Sequence, residues 1–168
     1  MNAKGVRAIT TFGYVGLLRP APGTWGSAVA VALGLAIDHL LGFPALVVAT
    51  VAVTALGFWA CNQALRDRPG ADPSEIVIDE VAGQWIALLF PAAAFWSRGM
   101  EGWWLAAYPG WVAAFLFFRL FDIWKPWIIG RADRRGDPAG VMLDDLWAGV
   151  FAGVAVLVAA GVAHGVLM

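Results

Sequence analysis

The chain has 168 residues, 61% of them apolar and only 14% charged, a balance that excludes an ordinary soluble domain and describes a membrane protein. A net charge of −1, with basic residues in no recognition pattern, gives no basis for a nucleic-acid partner. The length makes one helical bundle over residues 1–168 and leaves no room for a second domain.

Residues 1–23 carry Lys4, Arg7 and Arg19 and close on Pro20-Ala21-Pro22-Gly23. That closure is a rigid turn, because proline fixes φ and glycine permits unusual backbone angles. The basic start lacks a signal-peptide core, so the segment reads as retained. Residues 25–41 form a first apolar helix, short for a span, and Gly42-Phe43-Pro44 breaks the chain before a second span at 45–65. Cys61 in that run reads as a small core residue, and a lone cysteine allows neither an intrachain disulfide nor a cysteine zinc cluster.

The polar loop 66–74 offers Asp72 or Ser74 as a cap for the third helix, 75–95. That helix opens with Glu75, Asp79 and Glu80, acids that suit the dipole of a first turn. After a short loop, 97–102, the fourth span runs over 103–121, bent at Pro109 and Gly110. A basic loop follows. The fifth span, 146–167, has Asp144 and Asp145 at its mouth and carries Gly149-xxx-Gly153 and Gly161-xxx-Gly165, a spacing that lets helix backbones approach.

The expected fold is therefore all-α, a polytopic helical bundle of about five transmembrane segments. With the N-terminus in the cytoplasm, the inside holds Lys4, Arg7, Arg19, Arg66, Arg68, Arg119, Lys125, Arg131, Arg134 and Arg135, and the outside holds Arg98. Positive residues gather on the cytoplasmic side of membrane proteins, so the imbalance supports this topology. The same topology puts Asp79, Glu80, Asp122, Asp144 and Asp145 together on the cytoplasmic side. His39 and His164 fall near the opposite face, and Asp38 snorkels there. Trp96, Trp103, Trp104, Trp124 and Trp127 sit at interfaces, where aromatic belts are ordinary.

Acids placed where apolar segments meet water are costly, and by default they mark a site. Adjacent helical residues point about 100° apart, so each acidic pair offers one member inward and one sideways. Five like charges need a cation among them, and hard oxygen ligands suit Mg²⁺. The competing reading is a set of interfacial acids paired with nearby arginines and lysine. Arg119, Asp122 and Lys125 recur at three-residue spacing, and Pro126 biases Lys125 out of helical geometry, so the lysine can point into the site. In the functional reading Arg119 and Lys125 hold phosphate oxygens and Asp122 binds metal; in the bland one the three form a salt-bridge ladder. Pro22-Gly23-Thr24-Trp25-Gly26-Ser27 could take an anion at a helix N-terminus through Gly23, Thr24, Gly26 and Ser27, or could be a plain turn and cap.

Taken together, PGTWGS (22–27), IVIDEVAGQW (76–85), FRLFDIWKPW (118–127), Asp133-Arg134 and GVMLDDLWAGV (140–150) resemble the phosphatidylglycerophosphatase A family, in the family's order and across most of the chain. The resemblance implies an Mg²⁺-dependent lipid phosphatase of the bacterial inner membrane, its site facing the cytoplasm. Such an enzyme converts phosphatidylglycerophosphate to phosphatidylglycerol and inorganic phosphate. Asp79, Glu80, Asp122, Asp144 and Asp145 match its acidic, metal-binding positions, and Arg119 and Lys125 its basic ones, with Arg134 joining the phosphate-binding set. Whether a carboxylate attacks phosphorus or serves as base toward water is left open.

Three rivals are weighed. A CDP-alcohol phosphotransferase needs spaced aspartates within one helix pair, whereas these acids are dispersed over three helix ends. A cation transporter or channel places ionisable groups near the midplane, and here the centres of the apolar segments carry none. A purely structural membrane protein leaves the acids unexplained.

Overall fold

The computed structural model describes residues 3–67, 71, 73–100 and 108–167. Its helices are α1 (Ala3–Thr10), α2 (Pro22–Leu41), α3 (Phe43–Leu65), α4 (Ile78–Trp96), α5 (Gly110–Trp124), α6 (Trp127–Asp133) and α7 (Pro138–Leu167), with one 3-10 turn at Val15–Leu17. No strand occurs among the described residues, which bears out the all-α expectation.

Proline and glycine set several of the boundaries. Pro22 opens α2, where its missing N–H costs nothing, and Gly42 at φ +84° ends it while its N–H reaches Asp38 O at 2.8 Å. The third helix begins at Ile78, not at 75, because the preceding segment is tied elsewhere. Val77 N–H donates to Thr10 O at 2.9 Å, and Glu75 pairs with Arg7 at 3.2 Å. Asp72, one candidate cap, lies outside the described residues. Ser74, the other, sits in a turn, and no side chain caps α4. The expected fourth span begins at 103, and its residues 103–107 lie outside the described residues; the described α5 begins at Gly110, just after Pro109, and runs on to Trp124. Trp103, Trp104, Arg68 and the side chain of His164 lie outside the described residues.

The last helix departs most from expectation. It begins at Pro138, eight residues before 146, because Asp137 Oδ1 accepts the Gly140 N–H at 2.7 Å and caps it. Asp144 and Asp145 are therefore nearly two turns inside the helix and not at its mouth. The basic loop before it contains a short helix, α6.

At the centre stands α4, which packs on α2, α3, α5 and α7 and buries Ile78, Val81, Ala82, Trp85, Ala87, Leu88 and Ala92. The indole of Trp85 donates to Ala30 O at 2.7 Å, so a buried polar atom is satisfied across the α2 contact. Large apolar side chains such as Leu40, Val48, Val51, Leu116 and Val158 face outward instead, an arrangement suited to lipid. Among the described residues, four helices are long and apolar enough to cross a membrane: α2, α3, α4 and the Pro138–Ala163 part of α7. The described α5 has 15 residues, about 22 Å at helical rise. The protein is a membrane protein by these helices.

The tightest contact joins α4 to α7. A Cβ on Gly149 would strike Gly83 O, and one on Gly83 would strike Asp145 O and the Phe118 ring. Gly153 lies against the Phe90 ring, whereas Gly161 faces open space. Of the two small-residue pairs in the sequence, then, the first packs helix on helix. Gly83→Val should lower the thermal midpoint in detergent by the equivalent of roughly 1–3 kcal/mol or more, while Gly161→Val leaves it unchanged. Equal midpoints for both variants would contradict the contact.

Candidate active site

The site forms at the bundle end where α2 and α4 begin, α5 ends, and the first turns of α7 pass. Four first-turn or last-turn segments thus meet around a cavity of about 370 Å³. Asp79, Glu80, Arg119, Asp122, Lys125, Asp144 and Asp145 all line it, with Gly23 at its edge. Thr24, Gly26, Ser27 and Arg134 do not.

The adjacent acids are held in the same way twice. Asp79 Oδ1 accepts the Glu80 N–H at 3.0 Å, and Asp144 Oδ1 accepts the Asp145 N–H at 3.0 Å. Each first aspartate is thereby locked by its neighbour's backbone, and Asp79, Asp144 and Asp145 are all buried. Beyond this the pairs differ. Asp79, Glu80 and Asp145 each present a carboxylate oxygen within 4.8 Å of the others. Both members of the first pair therefore face the same point, where a one-in, one-sideways arrangement was expected. Asp144 instead accepts from Lys125 Nζ at 2.7 Å.

Asp122 is ion-paired with Arg119, whose guanidinium also stands 4.0 Å from Glu80 Oε1. The salt-bridge reading of this helix face is thus physically present and reaches Asp122, Glu80 and, through Lys125, Asp144, but not Asp79 or Asp145 among the described residues. Lys125 ends α5 in left-handed backbone geometry, φ 50° and ψ 52°, and that turn carries its ammonium away from the helix and into the cavity. Its second partner is Asp133, from the end of α6. Burial pulls the Lys125 ammonium down, but the hydrogen bonds it donates to Asp133 and Asp144 outweigh it and hold the lysine above its ordinary 10.5.

Asp133 is the site residue that sequence reading passed over in favour of its neighbour. Arg134 is exposed at the end of α6 and does not line the cavity. Asp137 also lines the cavity, and the Arg135 guanidinium and the Gly140 N–H hold its carboxyl below the usual range.

In the PGTWGS segment the glycines serve two different contacts. A Cβ on Gly23 would collide with Glu80 Oε1 and stand 3.2 Å from Arg119 Nη1, so the bare backbone lets α2 touch the site. Gly26 gives room to Val77, whose Cβ would lie 2.9 Å away, and the buried Ser27 hydroxyl donates back to Gly23 O at 2.9 Å. Those two residues pack the helix.

The grouped carboxylates have the chemistry of a divalent-cation site. Their donors are all hard oxygens, and they stand close enough to repel one another unless a cation lies among them. Asp79, Glu80 and Asp145 fit such an ion.

Comparison with known proteins places the chain in a family. The phosphatidylglycerophosphatase A family model matches residues 8–160. The chain belongs to the phosphatidylglycerophosphatase A family. Its resemblance to that family, drawn from five motifs, is borne out, and with it the assignment as a phosphatase of this kind. A Haemophilus influenzae protein named phosphatidylglycerophosphatase A is 34% identical over 84% of this chain and 80% of its own length. An Escherichia coli protein of the same name is 34% identical over 80% of this chain and 72% of its own. A Bacteroides thetaiotaomicron protein named "Putative phosphatidylinositol-3-phosphatase" is 38% identical over 83% of each chain. No solved structure matches.

Two outcomes follow for this family member. Gly23→Ala should fold normally yet lose activity, because the new methyl displaces the Glu80 carboxylate. Gly26→Ala should instead lose stability, roughly 1–3 kcal/mol, with turnover per folded molecule retained; the reverse pattern would reassign the two glycines. The second outcome concerns pH. A lysine raised in the folded state keeps its partners' stabilisation below its unfolded value and loses it as pH rises through the folded one. Lys125 thus stays cationic past its ordinary 10.5. A pH–rate profile should show no falling limb from this residue up to that point, and Asp133→Asn, which removes one anionic partner, should move any such limb downward.

Proposed function

We propose that the chain hydrolyses the phosphate monoester of phosphatidylglycerophosphate, with Mg²⁺, in phospholipid biosynthesis at the cytoplasmic face of a bacterial inner membrane. The observation that carries this reading is the charge balance of the cavity. Asp79, Glu80, Asp122, Asp133, Asp137, Asp144 and Asp145 face only Arg119 and Lys125 among its lining residues. A phosphate dianion has no reason to enter such a place unless a cation is there to receive it. A divalent ion held by Asp79, Glu80 and Asp145 would neutralise the monoester and polarise it toward attack.

The chain's own residues supply the rest. An ammonium has three N–H donors, and Lys125 commits two of them to Asp133 and Asp144, leaving the third for a phosphate oxygen. Arg119, anchored by Asp122, presents its remaining guanidinium donors at the same cavity. Charge growing on the non-bridging oxygens is stabilised by both. In the overall step a water oxygen bonds to phosphorus, the bond from phosphorus to the ester oxygen breaks, and a proton passes to that oxygen. Phosphatidylglycerol and inorganic phosphate leave. The cavity's size suits a headgroup and not acyl chains. Ile123 of α5, which both lines it and stands 72% exposed, gives those chains an apolar flank.

Sidedness rests on the basic residues. Arg7, Arg19, Arg66, Arg131, Arg134 and Arg135 lie at the same bundle end as the cavity, and Arg98 follows α4 at the other. The alternative of a cation transporter or channel is less well supported, because the acids gather at one end with phosphate-sized cationic partners. The name of the Bacteroides relative raises a second lipid monoester as substrate, one that the same machinery could hold.

Purified protein in lipid nanodiscs should release phosphate from phosphatidylglycerophosphate only with a divalent cation, and faster than from phosphatidylinositol 3-phosphate. Asp79→Asn, Glu80→Gln and Asp145→Asn should each abolish release in folded protein. Lys125→Ala should cost about 10²–10³ in turnover with little change in the Mg²⁺ requirement. Full activity in two of the three acid variants would refute the shared cation, and preference for the inositol lipid would reassign the substrate.

A further inference from the structure

Gln84 lies in α4, one turn deeper than Glu80. It is fully buried, and neither Oε1 nor Nε2 has a protein partner among the described residues. The same is true of Glu80 Oε2 and Arg119 Nε. Packing alone would be better served here by leucine or methionine, which form helix well and bring no polar group to desolvate. A buried amide is normally held by something.

Its direction follows from its neighbours. Glu80 faces Gly23 of α2 and Arg119 of α5, Gly83 faces Asp145 and Phe118, and Trp85 and Leu88 face Gly34 of α2. Position 84 is four residues from 80, hence on the same side of the helix and about 6 Å along its axis. It falls between the directions of Gly83 and Trp85, so Gln84 points into the crevice between α2 and α5, beneath the Glu80 carboxylate.

We propose that Gln84 is a positioning residue that fixes the rotation of Glu80 through one bridging water. That water accepts from Gln84 Nε2–H and Arg119 Nε–H and donates to Glu80 Oε2, three bonds of the kind that hold buried waters. Such an anchor is needed at Glu80 in particular. Asp79 is short and already locked by the Glu80 N–H, whereas a glutamate has an additional torsion with a broad, two-fold profile. With Oε2 held from below, the carboxylate keeps one orientation toward Asp79 and Asp145. The inference rests on the cation site described above.

The test is calorimetric titration of nanodisc-embedded protein with Mg²⁺ and Mn²⁺, beside thermal unfolding and activity across Mg²⁺ concentrations. Gln84→Met keeps the shape and removes the hydrogen bonds. It should unfold at the parent's temperature or above, bind the cations about tenfold more weakly, and raise the Mg²⁺ needed for half-maximal activity by the same factor. Gln84→Asn, its amide set back by one methylene, should give a smaller shift in the same direction. Unchanged cation affinity in folded Gln84→Met overturns the role; if that variant does not fold, unchanged affinity in Gln84→Asn does so. Parent protein that binds neither cation overturns the cation site and this inference together. Cation binding that is equal in parent and variant overturns only the part given to Gln84.

Discussion

Everything at the site depends on how closely α4 and α7 approach. Gly83 and Gly149 put backbone against backbone, with no side chain between. Two helices separated by ordinary side chains stand 8–10 Å apart, and carboxylates on their facing turns would then need to reach across a layer of packing. Here the layer is absent, so Asp79 and Glu80 on one helix come within ligand distance of Asp145 on the other. The same contact decides which of the second acidic pair joins them. The Asp145 carbonyl lies against Gly83, which turns Asp145 toward α4 and leaves Asp144, about 100° around the helix, for Lys125.

That division was not legible in the sequence, although the acids themselves were. Carboxylates interrupting apolar runs stand out because each is expensive there, and the five so identified do line one cavity. Their division between cation partners and mutual grouping is a tertiary result, fixed by a contact between two glycines, Gly83 and Gly149, that are far apart in sequence. The segment 22–27 misled in part for a related reason. Glycine and serine at a helix start suit anion binding and tight packing equally, and only the position of Val77 shows that Gly26 and Ser27 do the second.

Helix boundaries are only partly legible in the sequence, for local reasons. The α7 start was written in Asp137-Pro138, an N-cap followed by a proline suited to N1. That signal was passed over because the apolar run begins several residues later. The seven residues of α6 are too few to show a period, so its end is unmarked, and Asp133 stands in the sequence only as part of a motif whose arginine draws the phosphate role.

Lys125 shows how the same proline and charge rules build chemistry when they act together. Pro126 disfavours helical geometry for the residue before it, and Lys125 takes the left-handed conformation, uncommon for a side chain of its size. Residues in such geometry persist only where their surroundings hold them. Two carboxylates, from α6 and α7, do so here. A lysine continuing the helix at that position would stay on the α5 face of Arg119 and Asp122. Turned out of the helix, it crosses to α7 instead and ties the two helices that flank the cavity. The strain of the turn and the placement of the charge are therefore one device, and neither residue type nor spacing alone would have produced it.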